Sequence, residues 1–153
     1  MERGGPVNHS RRALLFAGML LLAAGPAAAN EKLVLIAAAD SPVGQLDSLE
    51  VRKLFLGLTV THAGLHLRPL LNETDAQIRT VFLQNVVSMS DITYDRHMLG
   101  QALKQGRTQP TVYKDSAVLL AAVAADPNAI TYAWLKDVER HPRLKVLRVL
   151  WHD

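Results

Sequence analysis

The sequence predicts an α/β fold in a single domain with a mainly parallel sheet. Three observations carry this. Lys32 to Ala39 is an apolar run without alternation, the pattern of a strand covered on both faces. Short apolar runs then alternate with segments of helical periodicity, most of them opened by a capping residue. Turn chemistry such as Asp40-Ser41-Pro42 and Asp126-Pro127-Asn128 separates them.

The 153 residues include no cysteine. Met1 to Ala29 reads as a signal peptide: Arg3, Arg11 and Arg12 are basic, Ala13 to Ala24 is apolar, and Ala27 to Ala29 offers small residues for cleavage. The apolar part is shorter than the ~20 residues that span a bilayer. Leu14 stands where a twin-arginine signal places phenylalanine, which favours the general secretory route. A mature domain of residues 30–153 is expected in the periplasm. Without cysteine it carries no lipid anchor, and its stability in an oxidising compartment rests on its core. The signal holds three arginines and one glutamate, so the net charge falls from +3 to +1 on its removal. No basic stripe with interleaved aromatics suggests nucleic acid.

After the first strand, Asp47 and Glu50 form a capping box for a helix with Val51, Leu54, Phe55 and Leu58 on one face, and Gly57 as its stop. Thr59 to His66 reads as a loop. Leu67 to Leu71 is the second strand, where Pro69 implies an edge or an imperfect ladder. Thr74 and Gln77 have capping-box spacing for a helix reaching about Val87, with Ile78, Val81 and Phe82 inward. Ser88 and Asp91 cap the next helix, which runs to about Leu103. Lys104 to Pro110 is a polar loop. Asp115 or Ser116 caps a helix with Val118, Leu119, Ala122 and Val123 inward. Ala129 to Ala133 is a strand, Trp134 to Arg140 a short helix, and Leu144 to Trp151 a last strand.

An ordered set of segments then becomes informative. It runs from Leu46, Leu49 and Phe55-Leu56-Gly57, through Arg68-Pro69-Leu70-Leu71-Asn72 and Arg79-Thr80-Val81-Phe82, to Asp126-Pro127-Asn128-Ala129-Ile130-Thr131-Tyr132. This set resembles phosphate-type periplasmic substrate-binding proteins, above all their short single-domain relatives. Gly106 to Pro110 is similar to a loop of the same relatives. The resemblance implies a single three-layer lobe of type II periplasmic-binding-protein kind. It also implies that a full cleft needs a second copy, as a homodimer, or a partner protein. By alignment, Asp75 and Ala76 stand where those relatives place glycine and serine against the anion, and Thr131 stands for a glycine. Glu73 and Asp75 satisfy the positive end of the helix dipole and repel phosphate.

Ligands of open α/β sheets bind where strand carboxyl ends meet helix N-termini. The candidate binding residues are Ser41, Thr74 and Thr131 as hydrogen-bonding groups, Arg79 as charge and Tyr132 as a wall. His62 and His66 are four apart, but Gly64 between them points to exposed loop histidines rather than a metal site. His97, with Asp95 and Arg96, reads as a solvated face. No nucleophile elbow, metalloprotease helix or phosphate-binding glycine loop appears, so no enzyme and no cofactor are expected. The function expected is non-covalent recognition of a small anion or other solute by a module related to phosphate transporter binding proteins. The alternative is a ligand-free accessory to a membrane transporter or sensor.

Overall fold

In the computed structural model, which describes residues 31–153, β1 (Lys32–Ala38) is buried at every position after Lys32. The expected export segment lies outside these residues. The order continues with α1 (Ser48–Phe55), a hairpin of β2 (Thr61–His62) and β3 (Leu65–His66), β4 (Arg68–Asn72) and α2 (Ala76–Phe82). A single π-helical turn, Leu83–Val87, extends α2. Then come α3 (Asp91–Gln105), β5 (Thr111–Tyr113), α4 (Ser116–Ala124), β6 (Ala129–Trp134), α5 (Leu135–Val138) and β7 (Leu144–His152).

The main sheet has the order β5-β4-β6-β1-β7. β4 runs parallel to both β5 and β6, while β1 is antiparallel to both β6 and β7. Four strands therefore share one direction and β1 alone opposes them. The expectation of a mainly parallel sheet holds for the sheet. It fails for β1, whose apolar run reflects cover on both faces rather than parallel pairing.

β1 divides the core by alternation. Leu33, Leu35 and Ala37 join Val51, Leu54, Phe55, Ile78, Phe82, Tyr94 and Met98 on one face. Val34 and Ile36 join Leu119, Leu120, Val123 and Val138 on the other. β6 alternates likewise: Ile130, Tyr132 and Trp134 face the first cluster, Ala129 and Ala133 the second. Near the centre of the first cluster Phe82 stacks on Tyr132, with centroids 3.6 Å apart and planes 5° from parallel, and Phe55 meets both rings edge-on.

Local rules explain most helix ends. Asp47 and Glu50 form the expected capping box. Gly57, at φ +83, lets the chain leave α1 in a left-handed conformation. Other expectations are corrected. α2 is capped by Asp75, whose Oδ1 accepts from Ile78 N at 2.7 Å, and Gln77 turns instead to Glu31. Ser90 caps α3, and Ser88 is left-handed at the end of the π turn. Asp115 caps α4, but Leu120 points inward and Val118 is exposed. Pro69 lies on an interior strand. The ladder is imperfect there, because β4 meets β6 only at Arg68 and Pro69 and meets β5 from Leu70 onward. The short strand β5 has no apolar run to announce it, and its residues follow directly from the expected loop.

Phe82→Ala should cost about 3–5 kcal/mol in urea unfolding, because it opens a cavity against Tyr132 and Phe55. Gln84→Ala, on the exposed side of the next turn, should stay within about 0.5 kcal/mol of wild type.

Candidate functional site

The carboxyl ends of β4 and β6 meet the N-terminus of α2 at Asn72 to Asp75. Asn72 organises this junction although only 3% of its surface is exposed. Its Nδ2 donates to Tyr132 O at 2.8 Å, and Tyr132 Oη donates back to Asn72 O at 3.1 Å. Its Oδ1 accepts from Thr74 N at 3.0 Å and from Thr74 Oγ1 at 2.8 Å, closing an Asx turn. Asp75 spends one oxygen on capping α2 and the other on Trp134 Nε1, at 3.1 Å.

Arg79 lies one turn into α2 and is enclosed. Its Nη1 donates to Glu73, its Nε to Asp91 and its Nη2 to Asp95 at 2.7 Å. The Tyr94 ring lies 5.9 Å from the guanidinium carbon. Burial alone would lower the Arg79 pKa, but the hydrogen bond to Asp91 and the charges of Glu73, Asp91 and Asp95 raise it. Burial pushes the Tyr94 phenol well above its ordinary range. Beside this group lies a cavity of about 140 Å³, lined by Glu73, Arg79, Tyr94, Asp95, Met98 and Gln109 among others. It is below the roughly 300–1,000 Å³ of ordinary ligand pockets.

The five candidate residues do not converge. Thr74 and Arg79 share the carboxyl edge of β4. Ser41 lies at the opposite edge: β1 runs against its neighbours, so its carboxyl end meets the start of β6. There Ser41 Oγ donates to Pro127 O at 2.6 Å and accepts from Val43 N. Thr131 is fully buried in mid-strand and donates to Leu70 O at 2.8 Å. Tyr132 is fully buried in the aromatic stack and reaches the junction only through its hydroxyl.

Sequence reading included Asn72 in the segment entering this turn but missed its side-chain role, and it missed Asp91 and Asp95 as parts of the junction. The spacing of Asn72 and Thr74 is an Asx-turn signal, and Asp91 and Asp95 lie four apart on one helix face. Nothing in the sequence pairs them with Arg79. His97 is also reassigned. It bonds Leu56 O through Nε2 at 3.0 Å, beside Tyr94 Oη on Phe55 O at 2.7 Å and Arg107 Nη1 on Gly57 O. Three donors from α3 and its following loop thus satisfy consecutive carbonyls at the end of α1. His62 and His66 lie on the small hairpin. His66 bonds Thr61 Oγ1, and His62 stands 3.9 Å from Glu50. Among the described residues, no group of three or more metal-ligating side chains is placed to hold an ion, and no helix is long and apolar enough to cross a membrane.

A larger cleft, of about 500 Å³, opens at the amino edge of β4 and β5, between Leu54 to Thr59, His66 to Pro69 and Thr108 to Thr111. Arg68 on its wall is tied to Asp126 through Nε at 2.9 Å and Nη2 at 2.6 Å.

No family model matches the chain, and no curated protein matches its sequence. Solved structures do match. An ABC-type phosphate transport receptor from Vibrio cholerae aligns over 78% of this chain and 46% of its own, with TM-score 0.58 and 12% identity. A possible phosphate binding protein from Planctomyces limnophilus aligns over 78% and 42%, with TM-score 0.54 and 14% identity. PstS from Borrelia burgdorferi aligns over 78% and 47%, with TM-score 0.50 and 12% identity. The fold is periplasmic-binding-protein-like. The chain spans less than half the length of these structures, and at such identities the likeness concerns the fold alone.

Two predictions follow from the charges. Arg79→Met leaves three carboxylates around an apolar side chain, so its melting temperature should fall by the equivalent of about 1–3 kcal/mol. Added sodium chloride should restore part of that loss and change wild type less. Burial would raise the Asp126 pKa, but the Asn128 N–H and Arg68 outweigh it and hold the carboxyl low. Its contribution is therefore present above the ordinary carboxyl pKa of about 4 and is lost as pH falls through the depressed value. An acid titration of stability should be shallower for Asp126→Asn than for wild type.

Proposed function

We propose that the chain is a secreted, periplasmic solute-binding-like module, a single three-layer lobe of type II periplasmic-binding-protein kind related to phosphate transporter binding proteins. It acts by non-covalent recognition and is not an enzyme. Its binding edge is the carboxyl end of β4, where Arg79 lines the small cavity and Thr74 follows Glu73 in the same turn. Tyr132 serves that edge indirectly, by holding Asn72. The observation that carries the reading is the match of fold to phosphate transport receptors. The charge at this edge disfavours phosphate as its solute. Every bond Arg79 makes at this edge goes to a carboxylate, and the surrounding charge of Glu73, Asp91 and Asp95 outweighs it. A complete cleft would be closed by a second copy or by a partner.

The same enclosure favours a second reading, a ligand-free accessory to a membrane transporter or sensor. Thermal shift and calorimetry on the purified protein separate the two. The panel is phosphate, other oxyanions, amino acids and organic acids. Saturable stabilisation by a solute other than phosphate, weakened in Arg79→Met, is the expected result. Stabilisation by phosphate would refute the bias against that anion, and silence across the panel would leave the accessory reading in place.

A further inference from the structure

The cleft at the amino edge of β4 and β5 lies at the opposite end of the sheet from Arg79 and its carboxylates. Its volume of about 500 Å³ falls inside the roughly 300–1,000 Å³ of ordinary ligand pockets. Its lining is mixed. Leu58, which is 39% exposed, and the rings of Pro69 and Pro110 supply apolar surface, and His66 and Arg68 supply polar nitrogen. The walls are fixed in advance. Arg107 Nη1 donates to Gly57 O and so joins the loop before β5 to the end of α1. Asn128 Nδ2 donates to His66 O at 3.2 Å, and Arg68 N donates to Asn128 O at 2.8 Å. A cleft held this way needs little further ordering when a ligand enters.

The lining contains no carboxylate, in contrast to the carboxyl edge. His66 and Arg68 are both exposed and stand two apart around the buried Leu67, so in extended chain their side chains share one side. Asp126 engages Nε and Nη2 of Arg68 and so orients the guanidinium, while Nη1 has no partner among the described residues. Thr61 Oγ1 lies 3.0 Å from His66 Nδ1, which leaves Nε2 free to meet a ligand. A guanidinium already shared with one aspartate suits a single further negative charge rather than a dianion. We propose that this cleft binds a monocarboxylate with an apolar body. The carboxylate accepts from Arg68 Nη1 and His66 Nε2, and the body lies against Leu58, Pro69 and Pro110. The inference stands whether or not the carboxyl edge of the sheet holds a solute.

The test is calorimetry on the purified protein with phenylpropionate and octanoate, the amide of each, and inorganic phosphate. At least one acid should bind saturably, about tenfold tighter than its own amide and than phosphate, which has no apolar body. Arg68→Gln should weaken that acid by about tenfold. Asp126→Asn should instead tighten it by about threefold, because the guanidinium loses its competing carboxylate. A pair that only supported the fold would weaken binding in both variants, and that result overturns the proposal. Leu58→Ser should weaken the acid and its amide alike, since it removes apolar contact and no charge. Saturable binding of neither acid, equal binding of acid and amide, or phosphate bound as tightly as the acids also overturns it. So does binding that Arg79→Met abolishes and Arg68→Gln spares, which would place the acid at the carboxyl edge.

Discussion

The placement of β1 governs the rest of the structure. It sits between β6 and β7, antiparallel to both, with Leu33 to Ala38 shut off from solvent. A strand in that position must feed two cores. Its odd residues meet the α1, α2 and α3 side, and its even residues meet the α4 and α5 side. Its direction also decides where the following segment goes. The chain leaves β1 at the amino edge of β4 and β6, so Asp40, Ser41 and Pro42 are built there. Lys145 Nζ on Ser41 O and Arg148 on Leu46 O then tie that loop back to β7.

At the other edge, polar groups face each other. Asn72 links β4 to β6 and shapes the turn, Asp75 serves both α2 and Trp134, and Arg79 gathers three carboxylates. Buried or half-buried polar groups cost free energy when unpaired, and here they are satisfied from within. This economy limits what the edge can offer a solute. The helix dipole of α2 already faces Asp75, and the one guanidinium of the junction is outnumbered by anions. A fold shared with phosphate receptors does not by itself carry their ligand. Fold and site are separate properties.

α3 is held by the same kind of polar pairing on another face. Its inner contacts are few but directional: its phenol and imidazole, with a guanidinium from the loop that follows, meet three consecutive carbonyls. Hydrogen bonds of this kind fix orientation without needing a broad apolar interface. The helix can then keep Ile92, Leu99 and Leu103 exposed, because burial in the core is not what holds it.

By itself the sequence determined the α/β class, the alternation of elements and the Asp47–Glu50 cap, and it narrowed the cap of α4 to Asp115 or Ser116. It also determined that Phe55 and Phe82 face the core, whereas Tyr132, read as a wall of the binding site, was placed in that core only by the fold. These depend on short-range rules: periodicity, caps and turns act within a few residues. Tertiary structure alone decided the direction of β1, the removal of Ser41 to the far edge, and the burial of Thr131 in mid-sheet. It also decided which of Thr74 and Asp75 caps α2 and which carboxylates enclose Arg79. Each of these joins residues far apart in the chain, Arg79 with Asp91 and Asp95, Asn72 with Tyr132, Ser41 with Pro127. A strand buried on both faces reads the same in either direction, because its cover, not its pairing, sets its composition.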